Sequence, residues 1–311
     1  MAPPRRAAIL AAFAVIYVVW GTTYLGIRYA VEAVPPLLSS AIRFLLAGIP
    51  LYLVLRLRGA PRPDLAEWLH AGLLAFLMLA LGYGLVSVAA TRMPSGVAAL
   101  LVATVPLWVT VLESGAQRRL PGPRPLAALA IGLVGAGLLS TNGDGWRGGL
   151  SYWHVAMVLV GSLTWAWGTV LSHGRTARLP VLQGVAMQML AGGAMLLLGS
   201  VLAGETAGWS LADPGLKGWG AMLYLAVFGS LLALGCYAYL LQHVPASRVS
   251  TYAFVNPVIA VALGAVVAGE PVGGKVVLAA VLVITAVAMT LWDGRKPAAP
   301  RPAPPSPAAD A

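Results

Sequence analysis

The sequence predicts an all-α membrane protein whose ten transmembrane helices form two inverted-topology repeats of five. Three observations predict it. Of the 311 residues, 59% are apolar and 10% charged, with a mean hydropathy of +0.84; a soluble domain carries about 25% charged residues. Ten windows are apolar over enough residues to cross about 30 Å of hydrocarbon as helices. The second half of the chain also repeats landmarks of the first.

The windows are 7–30, 36–56, 68–90, 95–114, 125–141, 150–172, 180–202, 218–241, 247–268 and 275–292. The separators "VPP", "RGAPRPD", "RMPSG", "RRLPGPRP", "NGDGWRGG", "HGRTARLP" and "ADPGLKG" are rich in Pro and Gly, which end helices because Pro lacks an N–H and Gly turns at low cost. The start, "MAPPRRAAILAAFAV", imitates a signal peptide, but its apolar run continues to Leu25 with no persuasive cleavage site, so it reads as an uncleaved first span. Residues 1–6 form a short cytoplasmic N-terminus. Residues 295–311, "RKPAAPRPAPPSPAADA" in substance, are Pro- and Ala-rich and read as a disordered cytoplasmic tail.

Lys and Arg orient the bundle. With the N-terminus inside, 14 of the 20 fall in cytoplasmic segments, four (Arg92, Arg147, Lys217 and Lys275) in outer loops, and two (Arg28 and Arg43) within spans. By the positive-inside rule both termini are cytoplasmic. The same distribution explains the net charge of +10 and argues against nucleic-acid binding, because no basic stripe with interleaved aromatics is present.

"VPPLLSSAIRFLLAG" at 34–48 matches "LPVLQGVAMQMLAGG" at 179–193, a shift of 145. Trp20-Gly21-Thr22 matches Trp167-Gly168-Thr169. Trp68, Gly84, Pro94 and Pro106 match Trp219, Gly235, Pro245 and Pro257, all shifted by 151, and Arg124 matches Lys275 at the same shift. The repeats are 7–143 and 150–294. Five spans each is an odd number, so the second copy enters the membrane from the opposite side. Secondary transporters use this layout to alternate between inward- and outward-open states, with the substrate at the repeat interface.

The chain resembles the drug/metabolite transporter superfamily, in its EamA-domain branch. The resemblance is carried by "VVWGTTYLGIRYAVEAVPPLLSSAIRFLLAG" (18–48), "MPSGVAALLVATVPLW" (93–108) and "STYAFVNPVIAVALGAVVAGEP" (250–271), and it covers about 7–292. It implies a bacterial-type inner-membrane location and proton-coupled or facilitated export of amino acids or other small metabolites, through a cavity lined mainly by the first four helices of each repeat. The family often places Gly-Glu after the fourth helix of each repeat. Gly269-Glu270 fits, but the matched first-repeat position is Arg119, which puts any symmetric pair of acids in doubt.

Charge in hydrocarbon is costly, so ionisable residues inside spans are functional candidates. Arg43 lies seven residues into the second span and its repeat mate is the polar Gln188; together they could grip an anionic group such as a carboxylate. Snorkelling, or pairing with Glu32, is the plainer alternative. Glu113, near the inner end of the fourth span, is the candidate proton carrier, unless it pairs with Arg118 or Arg119. Glu270, at an outer edge, is a similar case. Asn256-Pro257 in the ninth span and Pro106 in the fourth leave carbonyls unpaired, which suits a cavity wall. Tyr83, Trp108, Trp165 and Tyr252 fall mid-span and could stack on an aromatic or cationic substrate. Tyr24, Arg28 and Glu32 are spaced by four and share a face. No counterpart of Arg28 and Glu32 follows the second Trp-Gly-Thr, so they are expected to form a one-sided outer gate, pairing with each other or with Arg43.

Other classes fit less well. An enzyme needs clustered catalytic or metal-binding groups, whereas His70, His154, His173 and His243 are dispersed and no HExxH, GxSxG or GxxxxGK[ST] motif occurs. Cys236 is the one cysteine, which excludes a CxxC site or an internal disulfide. No cofactor or metal is expected. A channel-like pore is the nearest alternative, disfavoured by the repeat and by the lack of a filter signature. The expected partners are lipid, a small-molecule substrate and, if coupling exists, protons, with the protein a monomer or homodimer. Amino acids, nucleosides, pigments and drugs all remain open as substrates.

Overall fold

The computed structural model describes residues 6–116, 122–140, 152–173 and 179–293. Residues 1–5 of the N-terminal segment, the tail 295–311 and the arginines proposed to partner Glu113 (Arg118 and Arg119) lie outside the described residues. Within them the protein is helical, with no strand. In chain order the helices are α1 (Arg6–Ala33), α2 (Pro36–Leu57), α3 (Leu65–Ala90), α4 (Ser95–Ala116), α5 (Pro123–Ser140), α6 (Tyr152–Ser172), α7 (Val181–Leu202), α8 (Gly215–His243), α9 (Ala246–Val249 and Tyr252–Ala268) and α10 (Gly274–Asp293). Seven of them (α1 to α4 and α6 to α8) are long and apolar enough to cross a membrane. The windows predicted at 125–141, 247–268 and 275–292 hold shorter apolar stretches, 126–135, 255–268 and 274–286.

Local chemistry explains the boundaries. Pro36 occupies the first turn of α2, where its missing N–H is no loss. A capping box starts α3: the Asp64 carboxylate accepts from the Glu67 N–H, and Glu67 accepts from the Asp64 N–H. Gly269 ends α9 in the left-handed region at φ 62°. Two helices are interrupted without ending. In α3 residues Ala75–Tyr83 are π-helical, and in α8 residues Leu225–Leu232 are, the two segments starting 150 residues apart. Such insertions leave carbonyls free for other partners and gather at functional sites. The expected breaks near Pro106 and Pro257 differ from each other. The α4 helix breaks at Ala103–Thr104, just ahead of Pro106, whereas Pro257 lies inside the continuous piece Tyr252–Ala268, and α9 breaks earlier, at Ser250–Thr251.

The halves interleave. The principal packing pairs are α2 with α7, α5 with α10, α1 with both α8 and α9, and α6 with both α3 and α4. Small residues permit the close approaches, as expected where apolar side chains gain little from leaving lipid. A Cβ on Gly161 would stand 2.9 Å from the Gly82 carbonyl oxygen. At the α2–α7 contact one on Gly48 would stand 2.9 Å from the Met189 Cβ, and one on Gly193 2.8 Å from the Leu45 Cγ. The outer faces carry exposed Leu53, Leu198, Leu202 and Val266, side chains that lipid covers at no cost.

Candidate functional site

The core of the bundle is aromatic. Trp20 on α1 meets Trp165 on α6 edge to face at 5.7 Å, Tyr237 on α8 at 5.0 Å and Tyr252 on α9 at 5.0 Å between ring centroids. Trp165 also contacts Tyr83 at 5.4 Å and Tyr237 at 5.5 Å. The Tyr237 hydroxyl shares a 2.6 Å hydrogen bond with Thr169. The Trp20 Nε1–H donates to the Gly229 carbonyl at 3.1 Å, inside the π segment of α8. The matched Trp-Gly-Thr triplets diverge here: Trp20 is buried, Trp167 is half exposed, and it is Trp165 that meets Trp20.

This layer lies between two cavities. One, of about 50 Å³, is lined by Trp20, Tyr24, Tyr83, Trp165, Tyr252 and Asn256 among others. It has room for a few waters. Three predicted aromatics therefore converge with Asn256. Oriented to satisfy its neighbours, the Asn256 amide donates to the Tyr17 and Tyr252 carbonyls, and the Tyr17 hydroxyl bonds Thr251, which stitches α1 to the break in α9. The second cavity, of about 450 Å³, is within the usual range for small-molecule sites. Tyr237, Met78 and Gln188 stand at its inner part, and Asp64, Glu67, His70 and Gln242 lie toward the end of the bundle where α1 begins.

The opposite end is tied shut across the halves. The Arg28 Nη1 donates to the Glu270 Oε1 at 2.5 Å, and its Nε reaches the Glu32 Oε1 at 3.3 Å. Lys217 contacts the second Glu32 oxygen at 3.1 Å. Glu270 also accepts from the Ser95 N–H at 2.8 Å and the Gly96 N–H at 3.3 Å. It thus caps α4, whose preceding Pro94 has no side chain able to do so. Glu205, after α7, does the same for α2, accepting from the Leu37 N–H at 3.3 Å and the Leu38 N–H at 2.9 Å. The predicted Arg28–Glu32 pair is present. Its further partner is Glu270 and not Arg43.

Arg43 is 2% exposed and lines neither cavity. Its Nε donates to the Ser230 hydroxyl at 2.7 Å, and its guanidinium lies over the rings of Tyr83, at 4.5 Å, and Phe44, at 5.0 Å. Its Nη2 has no partner. Gln188, its predicted companion, is instead on the wall of the larger cavity. Trp108 packs against the core and lines neither cavity. Glu113 is half-buried near the end of α4. The trans-capping by Glu205 and the use of Ser230 and Gly229 are contacts made 167 or more residues away, with no motif in the sequence to signal them.

Known proteins are similar to this chain in sequence and in fold. The sequence matches the EamA-like transporter family over residues 6–141 and again over 152–292. It is 41% identical to the uncharacterized inner membrane transporter YedA of Escherichia coli K12, over 93% of this chain and 92% of that protein. It is 26% identical to the uncharacterized transporter YvbV of Bacillus subtilis, over 92% of each. It is 28% identical to a probable amino-acid metabolite efflux pump of Salmonella typhimurium, over 90% of this chain and 93% of the other. A solved crystal structure superimposes with a TM-score of 0.67 at 21% identity, over 94% of this chain and all of that one, which shows a common fold. With both halves matched and a relative this similar along nearly its whole length, the chain belongs to the EamA-like transporter family.

Proposed function

We propose that the protein is a multi-pass inner-membrane secondary transporter that exports small metabolites, amino acids foremost, by alternating access between two inverted five-helix repeats. The observation that carries this is the pair of cavities on either side of an aromatic layer, one end of the bundle closed by ion pairs between its halves and the other leading to about 450 Å³ of space. That geometry is what one state of a two-state carrier requires. An open pore has no use for an aromatic layer across its middle. The placement of Lys and Arg makes the tied end the outer one, so the conformation is inward-open, and α5, α9 and α10 complete ten spans.

Several features support the repeats. The family matches twice in succession. The packing pairs are those that a two-fold relating α1–α5 to α6–α10 would produce: it exchanges α1·α8 with α6·α3 and α1·α9 with α6·α4, and it maps α2·α7 and α5·α10 onto themselves. The π segments of α3 and α8 are related by nearly the landmark shift of 151. The amino-acid class draws on the name of the Salmonella relative and on the mixed aromatic and polar lining.

The test is counterflow in proteoliposomes. Saturable, trans-stimulated uptake of an amino acid or related metabolite is expected, and flux that rises linearly with concentration would point to a pore instead. Repeating the measurement with a pH gradient decides coupling. Uptake that ignores the gradient removes proton coupling and the role of Glu113 in it.

A further inference from the structure

Among the described residues, Arg43 is the charged side chain buried deepest with no counter-ion, and one of its guanidinium nitrogens has no partner at all. The other residues this deeply placed are neutral, or, as with Glu270, ion-paired. A cation so situated is expensive unless some other state, or some ligand, compensates it. Its surroundings are shaped for it nonetheless. A Cβ on Gly229 would stand 3.0 Å from the Arg43 Nη2, so a larger residue there would press on the guanidinium. The Gly229 carbonyl is held by Trp20, and the Gly229 Cβ position also abuts Thr23. Thr23, Trp20 and Tyr83 all line the small cavity, so the free nitrogen lies just behind its wall.

The repeat explains the position. The landmark shifts carry Gly184 and Gln188 on α7 to Ser39 and Arg43 on α2, Leu234 on α8 to Tyr83 on α3, and Met78 on α3 to Gly229 on α8. Gly184, Gln188, Leu234 and Met78 all line the cavity that is open here. Exchanging the conformations of the two repeats, which is how an inverted-repeat carrier reaches its other state, puts Ser39, Arg43, Tyr83 and Gly229 around the cavity of the opposite end. Ser39, Arg43 and Gly229 are now buried, and Tyr83 is half-buried on the wall of the small cavity.

We propose that Arg43 is the anion-binding residue of the outward-open state, where it grips the carboxylate of the transported molecule, with Tyr83 beside it. The inference rests on the inverted-repeat carrier reading above. It narrows the substrate class to carboxylate-bearing small molecules, zwitterions included, and excludes purely cationic ones, because an uncompensated arginine repels them throughout the cycle. It also gives the switch a ligand-dependent driving force, since a carboxylate that reaches Arg43 in one state only must shift the balance toward that state.

Two measurements test it. With Cys236→Ser removing the native thiol, Arg43→Cys is treated from outside in right-side-out vesicles with an impermeant methanethiosulfonate, with and without Glu270→Gln to loosen the tie. The expected result is a labelling rate at least about tenfold higher when the tie is loosened, the span between a minor and a dominant state. An unchanged rate overturns the proposal. If Arg43→Cys does not fold, Ser39→Cys reports on the same wall. In the second measurement, purified Glu270→Gln protein is melted with a panel of aliphatic, aromatic and amino-acid carboxylates and with the matching amides and amines. At least one carboxylate is expected to raise the melting midpoint while its amide and amine do not; Arg43→Gln abolishes the shift and Arg43→Lys keeps part of it. A shift shared by the amides, a shift surviving Arg43→Gln, or no shift with any carboxylate overturns the proposal. Counterflow by the unmodified protein fails or succeeds independently, so loss of the carrier reading is told apart from loss of this one.

Discussion

Replacing Glu270 with Gln tests the tie at the closed end most directly. The Glu270 side chain is 5% exposed and serves three donors: Arg28 at 2.5 Å, the Ser95 N–H at 2.8 Å and the Gly96 N–H at 3.3 Å. The amide keeps one acceptor but loses the charge and turns an N–H toward donors. A hydrogen bond to a charged group contributes about 1.5–3 kcal/mol. Arg28 retains Glu32 and is 30% exposed, so water recovers part of the loss, and about 2 kcal/mol is the working value. At 1.4 kcal/mol per tenfold, opening becomes about 30-fold more frequent. Hydrogen exchange of the α4 first turn, measured in nanodiscs, reads opening at the Ser95 and Gly96 amides themselves. Glu32→Gln is the control. Glu32 and Lys217 are 46% and 65% exposed, and such surface pairs contribute about 0–1 kcal/mol, a change of about fivefold at most. Exchange unaltered by Glu270→Gln, or accelerated as much by Glu32→Gln, would refute the reasoning.

The remaining predictions concern single contacts. Glu205→Ala, which strips the cap from α2, is expected to cost about 1 kcal/mol and to lower the melting midpoint by about 2 °C, as differential scanning fluorimetry would register. Gly193→Leu overpacks the α2–α7 contact, where Leu45 already stands within 3 Å of the new Cβ, and should destabilise by about 1–3 kcal/mol. Gly220→Ala, with nothing within 4 Å, should leave the melting point level or higher. Tyr237→Phe keeps the ring and loses the Thr169 bond, so transport persists with a stability loss of about 1 kcal/mol. Tyr237→Ala removes a panel of the aromatic layer and should add a non-saturable leak in proteoliposome flux; a tight Tyr237→Ala variant would show that the layer does not separate the cavities.

The elements were legible in the sequence because each rests on short-range rules. Hydrocarbon thickness sets span length, and Pro, Gly and the capping box at Asp64 set the ends, as at Pro36 and Gly269. Convergence of Tyr83, Trp165, Tyr252 and Asn256 on one cavity was also within reach, since mid-span polar tips have few other places to go. What escaped was everything fixed by depth and rotation between distant helices. Trp167 has the better local match to Trp20, yet α6 is rotated so that Trp165 enters the core. Arg43 and Gln188 match in sequence, but a single conformation shows them unequal environments, Gln188 on a cavity wall and Arg43 behind one. Under the carrier reading, sequence similarity between the halves predicts equivalent positions averaged over a transport cycle. It does not predict equal positions in any one state.

That inequality has a chemical origin in the acids. At the closed end, α2 and α4 begin after prolines that cannot cap them, and the carboxylates of Glu205 and Glu270 arrive from the other half to do it. At the other end, α7 and α9 also begin after prolines, Pro180 and Pro245, and among the described residues no side chain from the other half caps either. The residues matching Glu205 and Glu270 at the landmark shifts are Ala60 and Arg119. In the structure the nearest equivalent is the neutral bond from the Gln183 amide to the Pro61 carbonyl, 2.7 Å long. Charge-assisted caps are about twice as strong as neutral hydrogen bonds. Under the carrier reading proposed above, two near-symmetric halves would otherwise have little reason to prefer one open end. Among the described residues both bridging acids lie at one end, and the larger cavity lies at the other.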